Sequence, residues 1–344
     1  MIAKKAAAAL VFPALLASGV KADTPQLVIE KPEIILTEAQ MPYTMDGSWA
    51  PLRRSDGRMV FFATALAKKP YYFRYSGTME NPWEKEEEPF TWDFSGHNDQ
   101  WPSGLWLMNI ITVRNGSLIG MVHREDIRPD RPATFSIGLA KSTDGGSHWK
   151  FLGDVIAPKT PTANIGGAPC LIVGKWLYLY FNERGLNRLC VARASLEEVI
   201  TAAARDTVPR FKKYSGGQWN EDGLTGTGEN IIPGALESWD FHSDAAYCRP
   251  LGKAMITVQT HHQSQLLLFT SNDGLNWSNK VVLDEAPGHS QPYSSIIGFD
   301  PDSAADCHEV GKKFYIYFTR KKLANYDDDT ICRVKCSVQP SNDK

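Results

Sequence analysis

Apolar and β-branched residues recur along this chain in short runs that come in pairs, each pair joined by a glycine turn. The first pair covers 50–53 and 59–64 around Ser55-Asp56-Gly57-Arg58, and the second covers 105–113 and 118–123 around Arg114-Asn115-Gly116-Ser117. The third covers 168–173 and 176–181 around Gly174-Lys175, and the fourth 245–249 and 254–260 around Leu251-Gly252-Lys253. The fifth covers 293–299 and 314–319, with a longer acidic loop before Gly311-Lys312. Half-buried runs punctuated in this way predict β-hairpins, because glycine supplies the positive φ that tight turns need. The turns recur at roughly 60-residue intervals, somewhat longer than a kelch repeat of about 50. One interval is longer still, and 195–204 predicts a helix within it, opened by the capping box Ser195-Leu196-Glu197-Glu198.

Five such units predict an all-β fold, a five-bladed β-propeller forming a single domain over 23–344. The last run, 331–338, leaves its blade one strand short. Apolar segments at 26–29 and 33–36 are expected to supply that strand, closing the ring and removing an exposed sheet edge. Two further turns follow predicted third strands: Ser142-Thr143-Asp144-Gly145-Gly146-Ser147-His148-Trp149 and Ser271-Asn272-Asp273-Gly274-Leu275-Asn276-Trp277. They resemble the Asp-box of sialidases and related propellers, S/T-x-D-x-G-x-x-W. The resemblance implies a structural turn in which the Asp accepts backbone N–H bonds and the Trp packs beneath the hairpin.

The first residues bear on the compartment. Lys4 and Lys5 precede the apolar run 6–16, and Val20-Lys21-Ala22 forms a small-residue cleavage site, so 1–22 reads as a secretory signal peptide and the mature chain as secreted or periplasmic. The run is shorter than the ~20 residues of a bilayer span. A net charge of −2 with scattered basic residues gives no footprint for nucleic acid or an anionic membrane. The six cysteines, at 170, 190, 248, 307, 332 and 336, have no metal-type spacing, and both buried thiols and disulfides stay open. Cys332 and Cys336 share a strand face too far apart to bond each other. No cofactor and no catalytic metal is expected; a structural or central-channel calcium stays compatible with acidic runs such as Asp327-Asp328-Asp329.

If the tight turns share one end of the ring, the starts of first strands and the ends of second strands converge on the other. That end receives Asp46, His97-Asn98-Asp99, Asn164, His242-Ser243-Asp244, Gln291 and Tyr293. It also receives His123-Arg124-Glu125-Asp126, Asn182-Glu183-Arg184, His261-His262 and Thr319-Arg320. Crowded carboxylates, imidazoles and guanidiniums point to acid/base chemistry. A glycosidase needs two carboxyl groups flanking a sugar, one to protonate the leaving oxygen and one to activate water or attack. Trp92, Trp101, Trp106, Trp219 and Trp239 suit stacking on sugar faces and equally suit propeller packing.

The repeat length, the strand-initial Asp46 and the phrase Tyr178-Leu-Tyr-Phe-Asn-Glu183 together resemble five-bladed propeller glycoside hydrolases of the family 43, 32 and 117 type. That resemblance implies hydrolysis of plant, algal or host glycans, with an oligo- or polysaccharide as the partner. In family 43 the base is an Asp opening the first blade, a position Asp46 matches. The acid there is a Glu opening the third blade, where this chain has Asn164-Ile165-Gly166-Gly167, so that role is not carried over. Glu183 is one substitute; a histidine acid, as in family 117, would be His242 or His289. The expected catalytic set is Asp46, Glu183, Asp244 and His242, with His123, Glu125, Arg184, His289, Tyr293 and Arg320 binding substrate. Two alternatives stand beside it: a polysaccharide lyase using Tyr293, His289 and Arg320, and a non-catalytic glycan-binding propeller. A sialidase fits less well, because the chain lacks a Phe-Arg-Ile-Pro motif.

Overall fold

Side chains alternate between the two faces of a strand, and here both faces are apolar. In Trp176–Glu183, Leu177, Leu179 and Phe181 enter one apolar cluster while Tyr178 and Tyr180 enter another. A sheet of this kind must be covered on both sides, which a ring of sheets achieves. The computed structural model describes residues 25–40, 44–66, 70–78, 80–94, 103–160, 164–183, 188–232, 243–260, 264–323 and 329–340. The strands form five blades, chiefly antiparallel. Their inner hairpins are Ala50–Arg53 with Met59–Leu66, Gly104–Thr112 with Leu118–Arg128, Cys170–Val173 with Trp176–Glu183, Ala245–Cys248 with Lys253–Thr260, and Ser295–Gly298 with Lys313–Lys322.

Five apolar clusters hold the blades, one between each neighbouring pair. The series returns to its start: Met45, Trp49 and Phe61 of the first blade pack on Ile297, Tyr315 and Tyr317 of the fifth. At the outer edge of the fifth blade, Gln26–Ile29 and Glu33–Thr37 lie antiparallel against Thr330–Gln339. The signal-peptide segment lies outside the described residues.

Several local features depart from the expected plan. The helix runs Leu196–Ala204 with Ser195 at its N-cap, but the Ser195 hydroxyl makes no capping bond. The expected capping box is therefore not formed; Glu197 and Glu198 in the first turn still favour the positive end of the helix dipole. The second blade gains an extra strand, Thr91–Asp93, which runs parallel to His148–Ile156. The long loop of the fifth blade is an ordered crosspiece. Arg53 of the first blade donates its N–H to Ala305 O, Thr112 of the second bonds the Asp306 carboxylate, and Tyr247 of the fourth donates to His308 O. Reaching the second and fourth blades from the fifth carries this loop across the axis at the hairpin-turn end, so that end is occupied by backbone and buried polar bonds.

All six cysteines are buried free thiols. In the turn beginning at Ser142, Asp144 Oδ1 accepts the N–H groups of Ser147 and His148 at 3.0 Å each, and Trp149 donates its indole N–H to Gly146 O. Asp273 accepts from Leu275 and Asn276 at 2.9 and 2.8 Å.

Gly146 joins a positive φ of 88° to a close approach, because a Cβ there would meet the Phe62 ring of the first blade at 2.3 Å. Gly116 has φ 84° and open space around it. Gly116→Ala is expected to cost about 1 kcal/mol, the backbone penalty alone. Gly146→Ala adds a steric conflict in a packed seam and should cost about 3 kcal/mol. Denaturant unfolding of both variants checks the difference; equal losses would mean the seam does not press on this turn.

Candidate active site

Among the described residues, three blades interrupt their first strand at the end opposite the tight turns. In the first, Thr44–Met45 and Ala50–Arg53 both pair with Met59–Leu66, and Asp46 sits at the break with its N–H on Thr64 O. In the fifth, His289–Ser290 and Ser295–Gly298 both pair with Lys313–Lys322, and Tyr293 sits at the break with φ 61°. In the third, the break falls between Ile165–Gly166 and Cys170–Val173. A break frees a side chain from the alternation of the sheet. A bulky residue held at positive φ is strained, and such strain concentrates at functional sites.

The two breaks meet. Tyr293 donates its hydroxyl to Asp46 Oδ1 at 2.8 Å, and Trp106 of the second blade donates its indole N–H to Asp46 Oδ2 at 2.9 Å. Asp46 is thus an acceptor on both oxygens, clamped by donors from two other blades. Burial pushes the Tyr293 phenol well above its usual range, and the charges of Asp46, Glu125 and Asp329 push it further, so it keeps its proton and stays a donor. Lys321 lies over the Tyr293 ring at 5.2 Å and pairs with Asp329 at 3.2 Å. Glu125 is partly exposed and meets His123 Nε2 at 3.3 Å, and the His123 ring packs between Trp106 and Phe135.

The polar atoms left over point to the same end. Thr64 Oγ1, His123 Nδ1, Glu183 Oε2, Ser243 Oγ and Gln291 Oε1 are buried without a hydrogen-bond partner. Each comes from a different blade, from the start of a first strand or the end of a second. The Trp92 and Trp277 indole nitrogens are in the same state elsewhere. Unpartnered buried polar atoms are uncommon and costly. With Glu183 turned into a seam, the other four blades leave acceptors and donors at one end suited to a polyhydroxylated ligand.

The remaining sequence candidates have other surroundings. Asp244 is 4% exposed; its Oδ1 accepts from Asn109 and Ala245 N, both at 2.8 Å, and its Oδ2 from Ile296 N at 2.7 Å. Those donors belong to the second, fourth and fifth blades, so this carboxylate ties the ring across its axis and does not open onto a cavity. Arg320 is held by Asp284 through Nη2–Oδ1 at 2.6 Å and Nε–Oδ2 at 3.3 Å, a pair between the fifth and fourth blades. Glu183, 1% exposed, faces the seam between the second and third blades, where its charge acts on Lys213 and Cys190. His289 bonds Pro287 O through Nδ1 at 3.2 Å. Arg124 pairs with Asp126 and Asp154, and Asn164 accepts the Phe135 N–H. His242 and Arg184 lie outside the described residues, as do 97–99, 261–262, 327–328, Trp101 and Trp239. Trp219 stacks on Arg193 and Tyr178 at the outside of the third blade. Among the described residues, no three His, Cys, Asp or Glu side chains gather as a metal site.

The hydrogen bond from Trp106 to Asp46 and the place of Glu125 beside Tyr293 and His123 were not foreseen from the sequence. A signal was present: Trp106 lies at the start of a first strand, like Asp46, and Glu125 lies near the end of a second.

No protein-family profile matches the chain, and no curated protein matches it at a significant level. Solved structures do share the fold. A candidate exo-β-1,3-galactanase from Bifidobacterium bifidum superposes with a TM-score of 0.55 at 11% identity, over 91% of this chain and 97% of that one. The catalytic domain of the GH62 α-L-arabinofuranosidase from Coprinopsis cinerea gives 0.52 at 7% identity, over 92% and 97%. A protein of unknown function from Dyadobacter fermentans gives 0.54 at 14% identity, over 87% and 78%. The chain shares the five-bladed propeller fold with these structures.

Burial pushes the Asp244 carboxyl up to about 7, against the pull of the Ile296, Ala245 and Asn109 donors. The folded chain therefore keeps a proton that the unfolded chain releases near pH 4. The stability linked to this group is full below about pH 4, is lost as pH rises to about 7, and is constant above. The stability difference between wild type and Asp244→Asn should change between pH 4 and 7 and be flat above pH 8. A difference independent of pH across that window would show that the carboxyl titrates normally.

Proposed function

We propose that this chain is an exported glycoside hydrolase whose general acid and base sit at the end of the ring opposite the tight turns. The observation that carries the reading is the Asp46 carboxylate held between the Trp106 indole and the Tyr293 phenol, with Glu125 acting electrostatically on the same phenol. Glycoside hydrolysis needs two carboxyl groups working on one sugar. Asp46, with both oxygens fixed, acts as the base or nucleophile at the anomeric carbon. Glu125, partly exposed and beside His123, delivers the proton to the leaving oxygen. Water supplies the hydroxyl of one product and the proton that restores the acid. Trp106 and Tyr293 orient Asp46, and Asp244 holds the blades that present them.

The geometry favours hydrolysis over elimination. A lyase would use Tyr293 as proton acceptor and Arg320 to neutralise a uronate. The Tyr293 proton is held tightly, and the Arg320 guanidinium is engaged by Asp284. Export is supported by the signal-like segment 1–22, and no helix among the described residues is long and apolar enough to cross a membrane.

A panel of arabinoxylan, β-1,3-galactan, agar, xylotriose and β-1,3-galactotriose, followed for reducing ends and ultraviolet absorbance together, tests the reaction. Reducing ends without absorbance are expected from at least one substrate. Asp46→Asn and Glu125→Gln should each lower kcat by about a hundredfold or more, while Asp244→Asn changes stability more than rate. Full activity in Asp46→Asn would remove this assignment, and an absorbing product would favour the lyase. N-terminal sequencing of the exported protein should begin at Asp23; an intact Met1 would contradict export by cleavage.

A further inference from the structure

Two departures from the repeated blade converge on one place outside the candidate active site. The first is the extra parallel strand Thr91–Asp93, which sets Trp92 in register with Trp149 at the rim of the second blade. The second is the helix of the third blade, after which Asp206 adopts φ 58° and reaches back to the second blade. There its carboxylate pairs with Lys141 and, at 2.8 Å, with Lys150. Between them lies a surface hollow of about 370 Å³.

The hollow has the chemistry of a sugar site. One edge of the half-buried Trp92 packs against Tyr72 and Phe90, and the indole forms an aromatic wall. Around it stand ammonium groups of Lys141 and Lys150, carboxylates of Asp93 and Asp206, and the exposed imidazole of His148. Asp144 also lines the hollow and pairs with His148, so the two lysines face three carboxylates and the hollow is not an anion trap. An aromatic wall ringed by paired donors and acceptors suits an uncharged ring bearing many hydroxyls. Asp206 holds the left-handed backbone conformation that Asp tolerates better than most residues, and its carboxylate is held by the two lysines.

From this we infer that the hollow is a second glycan-binding site, taking a neutral polysaccharide strand at the outer edge of the ring while the candidate active site works on another part of the same polymer. The inference rests on the carbohydrate reading above. Its effect would be on polymeric substrates, where a second foothold raises the local concentration of chain at the active site; a trisaccharide would gain nothing.

Affinity electrophoresis of the whole protein through gels containing arabinoxylan, β-1,3-galactan or agar tests it apart from catalysis. Wild type should be retarded by at least one polymer, and Asp46→Asn should be retarded equally. Trp92→Ala should weaken retention about tenfold, the order expected for losing one stacked aromatic. Asp206→Gly, which keeps the left-handed backbone comfortable, provides a second variant that leaves the apolar packing of Trp92 in place and should also weaken retention. Trisaccharide turnover should stay unchanged in Asp206→Gly. Retention by either variant equal to wild type, or no retention of wild type by any polymer, would overturn the second site. Trisaccharide turnover, measured separately, decides the hydrolase reading by itself.

Discussion

The structure depends on the apolar seam between the fifth and first blades. A ring of sheets buries every sheet face only if its last member packs on its first; without that seam two apolar faces would be left in water. Trp49, Phe61 and Met45 meet Ile297, Tyr315 and Tyr317 there. The same seam creates the central feature of the candidate site, because Asp46 and Tyr293, 247 residues apart in the chain, bond only when the first and fifth blades are side by side. Fold closure and site assembly are therefore a single event.

Once closed, the ring has two unlike ends. At the hairpin-turn end the loop 299–312 crosses under the axis and binds the first, second and fourth blades through Arg53, Thr112 and Tyr247. Along the axis, Asp244 joins three blades with one carboxylate. The far end is left with interrupted strands, a strained Tyr293 and unpartnered polar atoms from four of the blades.

The sequence made much of this legible, and the parts it hid share a cause. The five hairpins and the end of the ring at which polar residues such as Asp46 collect could be read from local alternation and glycine turns. Local pattern tells which residues reach the mouth and not what meets them there. Asp244 and Arg320 stand at positions as favourable as that of Asp46, yet Asn109, Ala245 and Ile296 surround one and Asp284 holds the other. All of these partners but Ala245 come from other blades, so whether such a residue becomes a tie is decided by tertiary contacts. The capping box at Ser195 shows the converse: a sound local motif whose side-chain bond is not formed in the folded chain. The strand Thr91–Asp93 was hidden because a three-residue run carries too little periodicity to register.

On this view, Asp46 and the unpartnered polar atoms at this end of the ring form one sugar-binding mouth. It is tested most directly by a crystal structure of the Asp46→Asn protein soaked with the xylose and galactose trisaccharides together. A sugar ring is expected beside Trp106 and Tyr293, its hydroxyls bonded to groups such as His123 Nδ1, Ser243 Oγ and Gln291 Oε1. Electron density showing those atoms bonded only to ordered water, with saccharide absent or bound solely at the outer rim, would contradict it.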